Sequence, residues 1–442
     1  MHKKLLLIFL VLLAIFVVYN GSLIFAQDDL SEFTNAKIDW RQFEGQTIKV
    51  MFTSHPWQEQ LVPLFNQFEA LTGIKITFGP LYPTMEYRQK RAMEYLAGTW
   101  DWDVYMLCPI GFGPEYASKG WVEPLDQFIN NAKITDPEWY DYNDFFAASR
   151  DFTVSDGKSH FEIPITAEAQ VLFYRTDLFQ EYGLSVPATM DELYTDAKKL
   201  TQAPRMYGIT LRGRIDSNWW PLHGFLSSYG GGWFDKDWNP IINSPESVAG
   251  IEMYGKLCKD AGSLGITDYC FDEIGNEIST GRAAMYLDAS VAYPRFKDTK
   301  KSVVSGKIGT GIMPAGPAGS KPNVHFWGIA MHSGSQKKEA TWLFIQWATS
   351  KPIQKILAVN GIASPRASVW KDPEFVKLNP EDFIKGVSES LSLGSHGPLH
   401  VKFADFQHVL TIELQNVITG TKTAQEAADE VAKEWNKTLG KQ

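Results

Sequence analysis

A chain of 442 residues, 44% hydrophobic and 21% charged, has ordinary globular composition, which excludes disorder, collagen and coiled coil and predicts about two to four domains. Basic residues number 42 against 51 acidic ones, a formal charge of −9, so the net basic surface that nucleic acid requires is missing and nucleic acid is excluded as a partner. The unusual figure is an aromatic share of 13%, with 15 tryptophans. At the start of the chain, Lys3 and Lys4 precede an unbroken apolar run over residues 5–18, a polar break at Tyr19-Asn20-Gly21-Ser22, and Ile24-Phe25-Ala26. The run is short for a bilayer span, and the pattern predicts a secretory signal peptide over residues 1–26, cleaved after Ala26, with a retained N-terminal anchor as the alternative. No cysteine lies near that junction to carry a lipid. Short apolar runs then alternate with helical periodicity: strands at 48–52, 74–78 and 103–107, helices near 58–71 and 86–96, the βαβ signature of a largely parallel sheet. Further strands are predicted at 208–211, 283–287 and 307–312, and a helix at 245–259. Thr189 with Glu192 and Thr423 with Glu426 spell capping boxes, and Ser244 before Pro245 spells an N-cap with proline in the first helical position. Trp347 and Trp435 sit at helical spacing with other apolar residues and read as core.

No linker divides the chain into sequential domains, and no repeats occur, a pattern that suits lobes sharing the chain in alternation. Facing α/β lobes bind ligand beyond the carboxyl ends of their strands. The predicted strands are followed there by polar and aromatic groups: Ser54-His55-Pro56-Trp57, Cys108-Pro109, Arg212-Gly213-Arg214 and Asp288-Ala289-Ser290. No nucleophile elbow, zinc-protease, Walker or dinucleotide motif is present. His396 and His400 are split by Gly397-Pro398, which prevents the helix that would align them, so no metal is expected there. Asp235, Asp237, Asn239, Asn243 and Glu246 follow calcium-loop spacing, but Pro240 stands where that loop needs glycine. Asp101-Trp102-Asp103 offers paired carboxylates of the kind a glycosidase uses, against a plain strand-edge turn. Cys258 and Cys270 are a candidate local disulfide in an oxidising compartment, and Cys108 reads as a buried inert thiol.

Residues 163–179, IPITAEAQVLFYRTDLF, resemble the first lobe crossing of maltose-binding protein and its relatives, the extracellular sugar-binding proteins of ABC importers. The stretches at 103–126, 186–200, 279–290 and 326–350 resemble further family segments in order along nearly the whole chain. Closer likeness is to the sorbitol/mannitol-binding branch, through YGITLRG, GGWFDKDWNP, YLDAS and DFQHVLT. The chain departs from that branch at Trp219-Trp220 and at the Cys258/Cys270 pair. The resemblance implies an α/β, two-lobed periplasmic binding protein of type II, each lobe a sheet flanked by helices, joined by a hinge. The expected N-terminal lobe is 27–165 with 309–362, and the C-terminal lobe 166–308 with 363–442. It implies a periplasmic monomer that captures a sugar or sugar alcohol and docks on an ABC permease, with no catalysis, cofactor or metal; a secreted glycoside hydrolase is the alternative reading. Glu168, Arg212, Asp288 and Trp327 match ligand-contacting positions, and the residue chemistry agrees: hydroxyl-rich ligands want charged acceptors, a guanidinium fork and stacking aromatics. His55 and Trp57, after the first strand, and Trp219, Trp233 and Gln407 complete the candidate site.

Overall fold

The computed structural model describes residues 30–441, and the expected signal peptide lies outside them. The described strands are β1 (Thr47–Met51), β2 (Lys75–Phe78), β3 (Val104–Leu107), β4 (Glu162–Pro164), β5 (Glu168–Arg175), β6 (Met285–Ala289), β7 (Ile308–Ile312), β8 (Val324–His325) and β9 (Gly328–Met331). They form two sheets, one ordered β2-β1-β3-β9-β4 and the other β6-β5-β7 with β8 also on β5. β1 runs parallel to β2 and β3, through crossover helices Phe65–Thr72 and Thr84–Leu96. β3 is wholly buried, as a central parallel strand with both faces covered should be. The parallel expectation stops there. β9 adds antiparallel to β3 and β4, and β5 is antiparallel to β6, β7 and β8, because its partners arrive from distant stretches of chain rather than through βαβ units.

Three passages link the sheets. β4 ends at Pro164 and β5 begins at Glu168; β8 ends at His325 and β9 begins at Gly328; the third passage runs near Ala363. They are tied by backbone bonds from Ile165 N–H to the Trp327 carbonyl and from Ala167 N–H to the Ala363 carbonyl, both 2.8 Å. β7 and β8 belong to the second sheet, so the return to the first falls after His325, not at residue 309 as expected. Helix Glu381–Leu393 packs on β5 and β7, and helices Phe403–Thr419 and Ala424–Leu439 pack with helix Pro245–Ala261.

Local chemistry explains the other departures. The single helix expected over 58–71 is broken into Pro56–Leu61, a 3₁₀ turn Val62–Leu64 and Phe65–Thr72; Pro63 lacks the N–H that an uninterrupted α-helix needs. The strand expected at 208–211 is reduced to two parallel bridges, Tyr207 to Ala283 and Thr210 to Tyr286, because the Ile209 N–H turns to the Ala261 carbonyl. Both capping boxes form, and Ser244 accepts from the Ser247 N–H. Trp347 and Trp435 are fully buried. Cys258 and Cys270 are free thiols, which corrects the disulfide expectation: Cys258 is buried in helix Pro245–Ala261, while the Cys270 thiol is taken up by Glu273 at 2.8 Å, where Cys270 caps helix Phe271–Ser279.

Candidate functional site

The cleft between the sheets holds a cavity of about 70 Å³ lined by His55, Glu168, Arg212, Trp219 and Trp327 among the expected residues. His55 follows β1 and caps helix Pro56–Leu61: its Nδ1 accepts the Trp57 N–H at 3.1 Å. That bond puts the ring proton on Nε2, which donates to Glu168 Oε1 at 3.1 Å. Thr166 Oγ1 donates to the same oxygen at 2.9 Å, so both side-chain donors fall on Oε1 and Oε2 has no partner among the described residues. Burial pushes the Glu168 carboxyl up, but the hydrogen bonds it accepts from His55 and Thr166 favour the ionised form, and the group lies below the usual carboxylate range. Glu168 therefore presents an ionised acceptor although it is only 3% exposed.

Across the cleft, Arg212 is fixed on three sides. Its Nε donates to Asp288 Oδ2 at 2.9 Å and its Nη2 to Oδ1, while Trp220 and Phe271 flank the guanidinium at 5.0 and 5.3 Å from their ring centroids. Asp288 is itself anchored by the Ala289 N–H at 2.7 Å. Nη1 has no hydrogen-bond partner among the described residues. Burial works against the charge on Arg212, but Asp288 overrides it and keeps the guanidinium protonated. Trp327 sits 5.5 Å from the His55 ring and 5.7 Å from His325.

Four expected residues stand elsewhere. Trp57 is fully buried and packs edge-on against Phe52 at 5.3 Å, because the helix that His55 caps turns it into the core. Trp233 is stacked on Phe403 and Trp435 at 5.6 and 5.3 Å. Gln407 donates to the Asp216 carbonyl at 3.1 Å and supports the wall behind the cavity. Asp288 is wholly buried beneath Arg212 and acts through it.

Other lining groups lacked a decisive signal. Trp220, part of the Trp219-Trp220 departure from the branch, backs Arg212. His325 Nε2 lies 3.4 Å from Cys108 Sγ, whose thiol donates to the Ile110 carbonyl; its Nδ1 has no partner among the described residues. Burial lowers its pKa to about 3, so it is a neutral ring with an acceptor to offer. Arg88 also lines the cavity, along with Glu86, Arg214 and Asp272. The carboxylates that suggested a glycosidase are not among them: Asp101 pairs with Lys49, and Asp103 accepts the Lys49 N–H at 2.8 Å and Ser335 Oγ at 2.6 Å. The calcium-spaced Asp235 is likewise consumed, by the Asn239 N–H at 2.8 Å and the Asn239 side chain at 2.9 Å.

Residues 54–355 match the family model described as bacterial extracellular solute-binding protein. The chain is 32% identical to an erythritol/L-threitol-binding protein of Mycolicibacterium smegmatis over 374 residues, 80% of this chain and 77% of that protein. It is 29% identical over 58% of its length to a mannitol-binding protein of Pseudomonas aeruginosa, 59% of which is covered. Among solved structures, a solute-binding protein of Agrobacterium radiobacter in complex with ribitol superposes with a TM-score of 0.81 at 27% identity, covering 89% of this chain and 99% of that one. One from Agrobacterium vitis with bound D-mannitol gives 0.79 at 25% identity, covering 90% and 99%.

Proposed function

Because the chain belongs to the bacterial extracellular solute-binding proteins, we propose that it is the binding component of an ABC importer and captures an acyclic sugar alcohol in the inter-lobe cleft. One observation carries the reading. Glu168 and Arg212 are each satisfied on their protein side and each keep one polar atom for the cavity, between aromatic walls. A vicinal hydroxyl donates to a carboxylate and accepts from a guanidinium, while the C–H face of the carbon chain packs on an indole ring. The relatives named for erythritol, threitol and mannitol, and the neighbours holding ribitol and mannitol, support four- to six-carbon polyols.

In this reading the lobes are residues 30–165 with 328–362 and 166–325 with 363–441, swinging about the three crossings. The protein works as a periplasmic monomer that hands its ligand to a membrane permease. A thermal-shift screen over alditols of four to six carbons, monosaccharides and small oligosaccharides tests the proposal. A polyol at 100 times its Kd adds about 2.7 kcal/mol of stability. A shift with oligosaccharides alone would overturn the polyol reading, and release of new reducing ends from them would favour the hydrolase.

A further inference from the structure

Helix Thr84–Leu96 carries two buried arginines three residues apart, and the protein treats them differently. Arg91 is fully engaged: its Nε donates to Tyr116 Oη at 3.0 Å, its Nη1 to the Met106 carbonyl at 2.6 Å, and Tyr87 and Tyr116 flank its guanidinium at 5.0 and 4.8 Å. Arg88 is 9% exposed and lines the cleft, yet among the described residues it makes no ion pair, and its buried Nε has no hydrogen-bond partner. Its one specific contact is the Phe112 ring, 4.9 Å from the guanidinium carbon, which orients the plane without using a donor. Burial works against its charge, Arg91 and Arg212 repel it, and Cys108 and Asp216 act in its favour. An unpaired buried cation is costly, and such a cost is retained where function uses it.

We propose that Arg88 is a ligand-binding residue, donating from the β1–β3 side of the cleft to hydroxyl oxygens of a neutral polyol whose other end is held by Glu168 and Arg212. The inference rests on the polyol reading of the cleft and deepens it. Vicinal hydroxyls are the ligand chemistry that serves all three groups, because each hydroxyl both accepts from a guanidinium and donates to a carboxylate. A sugar acid satisfies Arg88 but meets the ionised Glu168 in the same cavity. Arg88 and Arg212 approach from different sheets, so a ligand that engages both bonds the lobes to each other and favours the closed arrangement by that differential contact.

The test compares wild type, Arg88→Met and Arg88→Lys by calorimetric titration with erythritol, ribitol and D-mannitol, together with thermal melts without ligand. The proposal expects Arg88→Met to weaken the bound polyol at least tenfold, and Arg88→Lys to recover part of that loss. It also expects the ligand-free Arg88→Met protein to melt at the wild-type temperature or above, since an unsatisfied cation has been removed. A structural arginine predicts the opposite sign in the melt. Affinity within twofold of wild type in Arg88→Met, or a ligand-free melt several degrees lower, would overturn the assignment of Arg88 alone. Wild type binding none of the three polyols would overturn the proposed function and this inference with it.

Discussion

Trp57 and Trp327 are two tryptophans with the same chemistry and opposite roles. Both follow strand ends in the sequence, but Trp57 is turned into the core against Phe52, while Trp327 stands over the cavity beside His55. Trp57→Ala is expected to cost about 3–5 kcal/mol of stability, read by urea unfolding, with ligand affinity preserved where the protein remains folded. Trp327→Ala is expected to keep the fold by circular dichroism and weaken polyol binding roughly tenfold, about 1.4 kcal/mol. Equal effects of the two would contradict the assignment. Asp288 carries a second expectation. Its carboxylate does not line the cavity, yet Asp288→Ala releases Arg212 and leaves it as an unpaired buried cation, which should cost about 3–5 kcal/mol and reduce affinity together with stability. That Glu168, Arg212 and Trp327 line the cavity was legible in the sequence because each lies within a recognisable run, Glu168 and Trp327 beside a strand end and Arg212 after a segment that the structure reduces to two bridges. Arg88 was not: the run Tyr-Arg-Gln-Lys-Arg reads as a solvated helix face, and nothing in one sequence tells which turn of a helix meets the opposite lobe.

Elements show where periodicity suffices and where it fails. Helix starts were legible because a capping box is local chemistry, and the first three strands because each pairs through its own crossover. The interruption at Pro63 and the loss of the 208–211 strand were decided by competition for backbone partners, which apolar periodicity does not record. β4 illustrates a further hidden feature. Glu162 is fully buried beside β9, both its carboxylate oxygens lack partners among the described residues, and burial pushes its pKa up to about 8 despite the pull of Arg91. The folded protein thus holds a proton that the unfolded chain, titrating near 4.5, releases. The stability this proton confers is complete below pH 4.5, declines as pH rises, and is gone above about 8. Relative to Glu162→Gln, wild type should lose roughly 3 kcal/mol between pH 5 and pH 8, measured by urea unfolding at both values. A constant difference would show that Glu162 is ionised throughout.

At the scale of the molecule, the aromatic excess resolves into packing and recognition. Tyr95 is sandwiched between Trp100 and Trp121 at 4.8 and 4.7 Å, and Trp347 and Trp435 fill helix interfaces, so only Trp219, Trp220 and Trp327 reach the cavity. The two sheets are further joined across the cleft by ion pairs, Arg214 with Glu86 at 3.5 Å and Arg295 with Glu59 at 3.1 Å, Arg295 also holding Asp272 at 2.7 Å. Partly exposed pairs of this kind contribute about 0.2–1 kcal/mol each, weak enough that a ligand can decide between open and closed. Glu59→Gln should therefore raise the polyol Kd about two- to fivefold and expand the ligand-free protein in small-angle scattering; an unchanged Kd would remove the pair from the closure equilibrium. The lobed architecture was readable from the order of motifs along the chain, whereas the place of the return crossing was not, since β7 and β8 carry no mark of which sheet they join. The account as a whole stands on the cleft being a site for small polyols. Calorimetric titration of the wild-type protein with erythritol, ribitol, D-mannitol and maltotriose measures this directly. The prediction is saturable one-to-one binding of at least one alditol at micromolar Kd or tighter, and none of maltotriose. Binding of maltotriose with no heat from any alditol would contradict it.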